Sequence, residues 1–236
     1  MIKIERWVGP SSEQWDSIIK GIRNPMSVIG VANTSWDKSD SELGGKYVIG
    51  PNDHSLMMKL RDAGTDHRKF MRMIVVYVDI LAPLYWWKEF DTYKVGTVAN
   101  SCSTMHKIHE KEFTLEDFSC EHLYATDDID GMYYSTTAEE EFTSSDVLKV
   151  VIEALNVYRD LYLKTKDKAY WWQMIQLLPS SYNQKRTVML NYEVLANMYK
   201  SRKGHKLDEW REFCEWIETL PYSELITGEK DESKNI

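Results

Sequence analysis

The second half of the sequence is written almost entirely in one periodicity. From Thr143 to Lys166 the apolar residues Val147, Val150, Val151, Ala154, Leu155, Tyr158, Leu161 and Tyr162 recur every three or four positions, the spacing that lines up side chains along one face of an α-helix. The same spacing predicts helices from Lys168 to Leu178, Thr187 to Lys203 and Leu207 to Leu220. A chain so weighted towards helix does not close into a β-sandwich or barrel, and its apolar stripes must be covered by other helices or by a small sheet.

Strand signals are confined to the first half. Ile2, Ile4 and Trp7 alternate with Lys3 and Glu5, a half-buried strand. Ser11 with Gln14 forms a capping box ahead of Trp15, Ile18, Ile19 and Ile22, and Asn24-Pro25 ends that helix. Ser27 to Gly50 reads as loop, and Pro51 to Ala63 as a second helix with Gly64 in its C-terminal cap. Phe70 to Leu81 (FMRMIVVYVDIL) is the strongest strand, after which Ala82-Pro83 opens an aromatic helix, LYWWKEF. Asp91 to Glu112 is mixed and polar, and Phe113 to Ser135 is an acidic surface loop containing TDDIDG. The expected architecture is α+β, a helix-rich single domain with a small sheet over residues 1–227, followed by a disordered acidic tail over 228–236.

Composition narrows the function. With 37 acidic against 29 basic residues and a net charge of -8, the chain lacks the basic stripe that a polynucleotide backbone requires. Three scattered cysteines form no disulfide framework, and neither a membrane-length apolar run nor a signal-peptide core is present at MIKIERW. A cytoplasmic protein without membrane or polynucleotide partners is expected. Nine Trp and fourteen Tyr call for a ligand or another subunit to cover aromatic surface.

One polar pair stands out. If Thr187 to Lys203 is one helix, Asn191 and Arg202 lie near the middle of the stripe made by Leu190, Val194, Leu195, Met198 and Tyr199, about 16 Å apart on one face. A buried arginine requires an anionic or hydrogen-bonding partner, such as a phosphate or a uracil-like ring. The alternative is that Arg202, in the last turn before Gly204, complements the helix dipole and reaches solvent.

Leu177-Leu178-Pro179, followed at fixed spacing by Asn191, Asn197 and Arg202, resembles the flavin-dependent thymidylate synthases, the ThyX family. There a Leu-Pro precedes a helix of the form Asn-x-Arg-x-x-x-Asn-x-x-x-x-Arg. His205 and Glu209 fit the opening of the next helix. Ala82-Pro83-Leu84-Tyr85 resembles the entry to the family's signature helix, and Asn100 to Ser103 resembles its Asn-x-x-Ser. His67 falls near the family's Gly-His element.

The resemblance implies a ThyX-like fold and reductive methylation of dUMP to dTMP, with methylenetetrahydrofolate as carbon donor and NADPH reducing FAD. It also implies a homotetramer with sites between subunits. Arg202 is the implied catalytic residue, contacting the pyrimidine. Ser103, Asn100 and Glu89 are implied substrate contacts, Glu89 standing where the family often has Gln. His67, Asn191, Asn197 and Lys94 are implied flavin contacts. The family's Arg-His-Arg falls on Thr92-Tyr93-Lys94 or Tyr93-Lys94-Val95, its Arg-Tyr on Met105-His106, and two further arginines on Glu193 and Ile175. These losses keep a second reading open: a degenerate homologue that binds a nucleotide, a flavin or a partner chain.

Other motifs point elsewhere only weakly. His106 and His109, with Cys102, Cys120 and His122, have no familiar zinc spacing, and no metal is expected. The pairs Trp86-Trp87 and Trp171-Trp172 could stack a ring, but aromatic residues at helical spacing fit core or subunit interface better.

Overall fold

The computed structural model describes residues 1–26, 47–125 and 131–228. The predicted loop over 27–46, the acidic stretch 126–130 and the tail from 229 lie outside the described residues. In chain order the described elements are β1 (Lys3–Val8), α1 (Ser12–Arg23), α2 (Pro51–Asp62), β2 (Val75–Pro83), α3 (Leu84–Phe90), β3 (Val98–Ser101), β4 (Tyr133–Ser135), β5 (Glu140–Phe142), α4 (Ser144–Thr165), α5 (Lys168–Leu177), β6 (Asn183–Asn191), α6 (Tyr192–Arg202), α7 (Asp208–Glu218) and α8 (Glu224–Thr227). Four strands hydrogen-bond in the order β1-β2-β6-β3, and β4 pairs antiparallel with β5. The α+β class expected from the sequence is the one observed.

Local chemistry explains most boundaries. Ser11 accepts from the Gln14 amide while the Gln14 side chain reaches back to Ser11, closing the capping box at the start of α1. Thr143 and Asp146 do the same for α4. Such caps contribute roughly 0.5–2 kcal/mol each. Pro83 precedes α3 in extended geometry, and Pro51 sits in the first turn of α2, where its missing N–H costs nothing.

Two predicted elements change. Thr187 to Lys203 is not one helix: Thr187 to Asn191 end strand β6, and α6 begins only at Tyr192. Val188 and Leu190 are fully buried while Thr187 is exposed, so a short apolar alternation had been absorbed into the helical pattern that follows it. The predicted strand starting at Phe70 begins instead at Val75, after a 3-10 turn over Arg68–Met73.

The chain divides into two compact units. Unit 1 comprises Met1–Lys3, Leu81–Asp91 and Asn100–Arg186. Its core gathers Ile108, Phe113, Phe118, Leu148, Ile152, Leu155 and Met174 where α4 packs on α5. Trp86 and Trp87 are also buried in this unit, edge to face at 4.8 Å. They are core, not a stacking platform. Along the outer side of α4, Val147, Val150 and Val157 stay exposed.

Unit 2 comprises Ile4–Ile80, Thr92–Ala99 and Thr187–Ile236. Here Trp15, Ile18, Ile19 and Ile22 of α1, Met57 of α2, Leu195 and Met198 of α6, and Phe213 and Ile217 of α7 are buried. No helix among the described residues is long and apolar enough to cross a membrane.

Burial of phenols gives this fold an alkaline limit. Desolvation raises Tyr192, whose hydroxyl donates to the Pro221 carbonyl at 2.6 Å. Burial likewise raises Tyr182, and burial followed by a hydrogen bond to Glu218 raises Tyr199. The folded state therefore holds protons that the unfolded chain releases near pH 10, an ordinary tyrosine value of about 10 being the reference. This contribution to stability is complete below that pH and is lost as pH rises through the folded values. Thermal melts are expected to be level across pH 8–9.5 as far as these phenols are concerned and to fall steeply above about pH 10; an unchanged midpoint at pH 11 would contradict this.

The three thiols should separate by reactivity. Cys102 is exposed, Cys120 half-buried and Cys214 buried. Burial pushes the Cys214 thiol up to about 11 and raises Cys120 as well. Since the thiolate is the reactive species, alkylation of the native protein at neutral pH is expected to mark Cys102 first and Cys214 only after unfolding. Peptide mapping of the alkylated chain reads the order directly.

Candidate functional site

The sequence-predicted site residues fall into two groups, one in each unit. Arg202, Asn191, Asn197, His67 and Lys94 belong to unit 2, and Ser103, Asn100 and Glu89 to unit 1.

Arg202 ends α6 and is neither solvated nor deeply buried. Its Nε donates to the Tyr93 hydroxyl at 2.9 Å, and its guanidinium lies over the Trp210 ring at 4.6 Å and the Tyr93 ring at 5.6 Å. A half-buried guanidinium over an indole is held in a fixed plane, and cation–π attraction adds roughly 0.5–2 kcal/mol. Nη1 also meets His205 Nε2 at 3.0 Å, while His205 Nδ1 accepts from the Leu207 amide at 3.2 Å. A neutral imidazole has one acceptor nitrogen and serves one of these donors at a time. The plain dipole-capping alternative for Arg202 does not describe this aromatic setting. Trp210, which fills an apolar position of the next helix, is the residue that makes it.

Asn191 lies outside α6 rather than on its stripe. It is the N-cap: its side-chain oxygen accepts from the Val194 amide at 3.0 Å and its amide donates to the Gly96 carbonyl at 3.4 Å. Gly96 has φ +85°, and a Cβ there would lie 2.8 Å from Asn191 Nδ2. A glycine is required by both the dihedral and the close approach. Asn191 thus fixes the loop that carries Tyr93 and Lys94, the latter exposed.

Glu193, which the family resemblance sets against an arginine, does not stand as a lone negative charge. Arg72 hydrogen-bonds it and Arg68 Nε approaches it at 3.7 Å, while Glu193 itself is buried. Asn197 is exposed on α6 and lines, with Arg61, Arg68, Lys200 and Lys203, a hollow of about 340 Å³. Arg68 Nε is buried without a hydrogen-bond partner. His67, one residue away, is exposed and lies outside that lining. Cationic and amide side chains lining one hollow fit an anionic or carbonyl-rich group such as the flavin dinucleotide that the family resemblance implies.

In unit 1, Ser103 Oγ accepts from the amides of Met105 at 3.3 Å and His106 at 2.9 Å. Those amides point at the hydroxyl, which keeps its own O–H to offer. Asn100 is exposed on β3, and Glu89 is half-buried in α3. Beside this loop stands a cation the sequence reading missed. Arg186 donates to Gln184 Oε1 at 2.9 Å and to Asp91 at 2.7 Å, and lies 4.3 Å over the Trp87 ring. Gln184 in turn donates to the Cys102 carbonyl at 2.8 Å. No periodicity marks Arg186, because it sits in β6, between the two helices predicted over 168–178 and 187–203. Trp171 donates its Nε1 to the Met105 carbonyl at 2.9 Å, tying α5 to the same loop.

Among the described residues no three His, Cys, Asp or Glu side chains are placed to hold a metal ion. His109 instead packs its ring edge-on against Tyr162 at 4.9 Å.

No family model matches the sequence, and none of the curated proteins matches it. Solved structures do. Thymidylate synthase X (ThyX) from Helicobacter pylori with FAD and dUMP is similar at a TM-score of 0.60 and 14% identity, over 96% of this chain and 97% of that one. A second structure of the Helicobacter pylori enzyme, complexed with FAD and dUMP, gives 0.58 and 16% over 96% and 98%. The UMP/dUMP methylase PolB from Streptomyces cacaoi, bound with 5-Br dUMP, gives 0.56 and 14% over 97% and 94%. The fold is therefore ThyX-like along the whole chain, and the likeness is one of fold.

Proposed function

We propose that this protein binds dUMP and FAD and reductively methylates the nucleotide to dTMP, with methylenetetrahydrofolate as carbon donor and NADPH as reductant. The observation that carries the proposal is the Arg202 guanidinium, held over Trp210 and against Tyr93 at the end of α6. A planar cation in a partly water-excluded setting would stabilise negative charge on a pyrimidine carbonyl, the charge that makes a ring carbon nucleophilic towards the electrophilic carbon donor and that is discharged as the new C–C bond forms. Ser103, through its free O–H, and Asn100, through its amide, receive the phosphate. Glu89, a carboxylate, sets ligand choice near them. His67, Asn191, Asn197 and Lys94 hold the flavin, and FAD when bound supplies the hydride chemistry that amino-acid side chains lack.

The protein is proposed to act as one domain over residues 1–227, in the cytoplasm and as a homotetramer. The exposed Val147, Val150 and Val157 on α4 support a subunit contact.

One set of observations favours the second reading, a binding protein without the chemistry. Tyr93 stands within the signature element and spends its hydroxyl on Arg202, and the Met105 and His106 amides are engaged by Ser103. Incubating the FAD-loaded protein with dUMP, methylenetetrahydrofolate and NADPH separates the two. Chromatographic detection of dTMP supports the enzyme. Saturable dUMP binding with no dTMP supports the binding protein.

A further inference from the structure

A wide cleft opens in unit 2 where β1 ends and α1 begins, and the turn between α7 and α8 closes its other side. Its volume is about 820 Å³, within the span of roughly 300–1,000 Å³ that small organic ligands occupy. None of the residues implied for dUMP or FAD lines it, and every residue that does belongs to unit 2.

Four rings shape the cleft: Trp7, Trp15, Tyr47 and Tyr222. Trp15 and Tyr47 are buried and form its floor, their planes 12° apart at 6.1 Å, and Tyr222 stands edge-on to Trp15 at 5.6 Å. Trp7 is exposed at the rim, with its ring against the Gly9 backbone, where a Cβ would lie 3.2 Å from it. Both phenol hydroxyls are engaged. Tyr47 donates to Asp16 at 2.7 Å, while Tyr222 donates to the Tyr47 carbonyl at 3.0 Å and accepts from the Ile49 amide at 2.8 Å. These bonds hold Tyr222 at φ +55°, a left-handed backbone that a tyrosine seldom adopts. A carboxylate on the Tyr47 hydroxyl also polarises its ring towards negative charge. The tyrosines therefore offer a ligand ring surface rather than donors.

The charge of the lining has one sign. Glu13 is its carboxylate, and among the described residues no Lys, Arg or His lines the cleft. Glu13 is exposed and accepts from Ser11 Oγ at 2.7 Å, a hydrogen bond that holds its carboxyl below the usual range. The start of α1 does not turn the cleft into an anion site. The Ser11 amide donates to Gln14 Oε1 at 2.8 Å, the Gln14 amide donates to Ser11 Oγ at 3.3 Å, and Glu13 already complements the helix dipole from the first turn. Ring surface beside a carboxylate, without a cation, attracts a positive organic group and disfavours the phosphates of nucleotides and flavins.

We propose that this cleft binds an organic cation, a substituted ammonium carrying an apolar body, with Trp7, Tyr47 and Tyr222 as the aromatic wall and Glu13 as the counter-charge. It requires neither a bound flavin nor an active enzyme.

The test is calorimetric titration of the full chain, without flavin or nucleotide, using benzyltrimethylammonium as the probe. Saturable one-to-one binding is expected, with neutral benzyl alcohol and anionic phenylacetate roughly tenfold weaker or more. Trp7→Leu should weaken the ammonium roughly twofold to thirtyfold, and Glu13→Gln roughly threefold to tenfold. Both side chains are exposed, so neither replacement empties the core. Glu153→Gln, the same charge change on the exposed side of α4, should leave binding unaltered. Absence of saturable binding, equal binding of benzyl alcohol, or equal weakening in Glu13→Gln and Glu153→Gln overturns the assignment. A proline-rich peptide is the other occupant that aromatic walls take. Saturable binding of hexaproline in place of the ammonium, unchanged in Glu13→Gln, overturns the cation in favour of the peptide. Separate titrations with dUMP and FAD keep the readings apart: their failure leaves this site standing, and failure of the ammonium leaves the nucleotide reading standing.

Discussion

Replacing Arg202 with alanine is expected to lower dUMP affinity roughly tenfold to a hundredfold, because a hydrogen bond to a charged group contributes about 1.5–3 kcal/mol. The guanidinium is oriented by the Trp210 ring at 4.6 Å and by Tyr93 at 2.9 Å, so little ordering of the side chain remains to be lost on binding. Arg202→Lys keeps the charge but not the planar fork, and should recover only part of the affinity. Calorimetry on both variants reads the difference. Wild-type affinity in Arg202→Ala would reject the pyrimidine role. Stability should change much less than binding, since Arg202 is half-buried and its loss strands no deeply buried charge.

The largest stability effect is expected at Trp87. Its side chain is 1% exposed, touches Trp86 and Phe90 edge to face, donates its Nε1 to the Gln184 carbonyl at 2.9 Å and carries Arg186 on its ring at 4.3 Å. Trp87→Ala removes the ring from a close-packed interior and should cost about 3–5 kcal/mol. It also frees Arg186 beside the Ser103 loop, so any phosphate contact there should suffer in the fraction that remains folded. Trp87→Phe keeps most of the volume but loses the N–H, and is expected to cost about 1–3 kcal/mol from the unsatisfied carbonyl. Urea unfolding measures both. A loss below about 1 kcal/mol for Trp87→Ala would place the residue outside the core that the geometry describes.

What could be read from the sequence follows from how local each signal is. The α1 boundary was legible because Ser11 and Gln14 are three residues apart and close a box that needs no tertiary partner. The start of α6 was not, because β6 passes directly into the helix and Asn191 serves as last strand residue and N-cap at once. Periodicity of about 100° per residue cannot separate a short buried strand from the helix that continues it. The common helical face on which Asn191 and Arg202 were singled out was a product of that merged element.

The charge reading was altered in a similar way. The family resemblance implied that arginines were missing, yet sequence spacing could not show that Glu193 is matched by Arg68 and Arg72, which lie more than a hundred positions away along the chain. Nor could it find Arg186, whose significance comes from Trp87, Gln184 and Asp91 rather than from any motif. Long-range pairing of this kind is a tertiary property, and a residue acquires it without leaving a local pattern. The aromatic excess divided in the same manner, with Trp86 and Trp87 entering the core while Trp172 stayed exposed.

The central claim is that a ThyX-like fold with this altered set of cations still holds FAD next to a pyrimidine nucleotide. The most direct measurement is the absorption spectrum of the purified chain after incubation with excess FAD and removal of free flavin, followed by titration with dUMP. The account predicts a retained flavin spectrum whose bands shift on addition of dUMP, with the shift absent in Arg202→Ala. A protein that retains no flavin after incubation with excess FAD would contradict it.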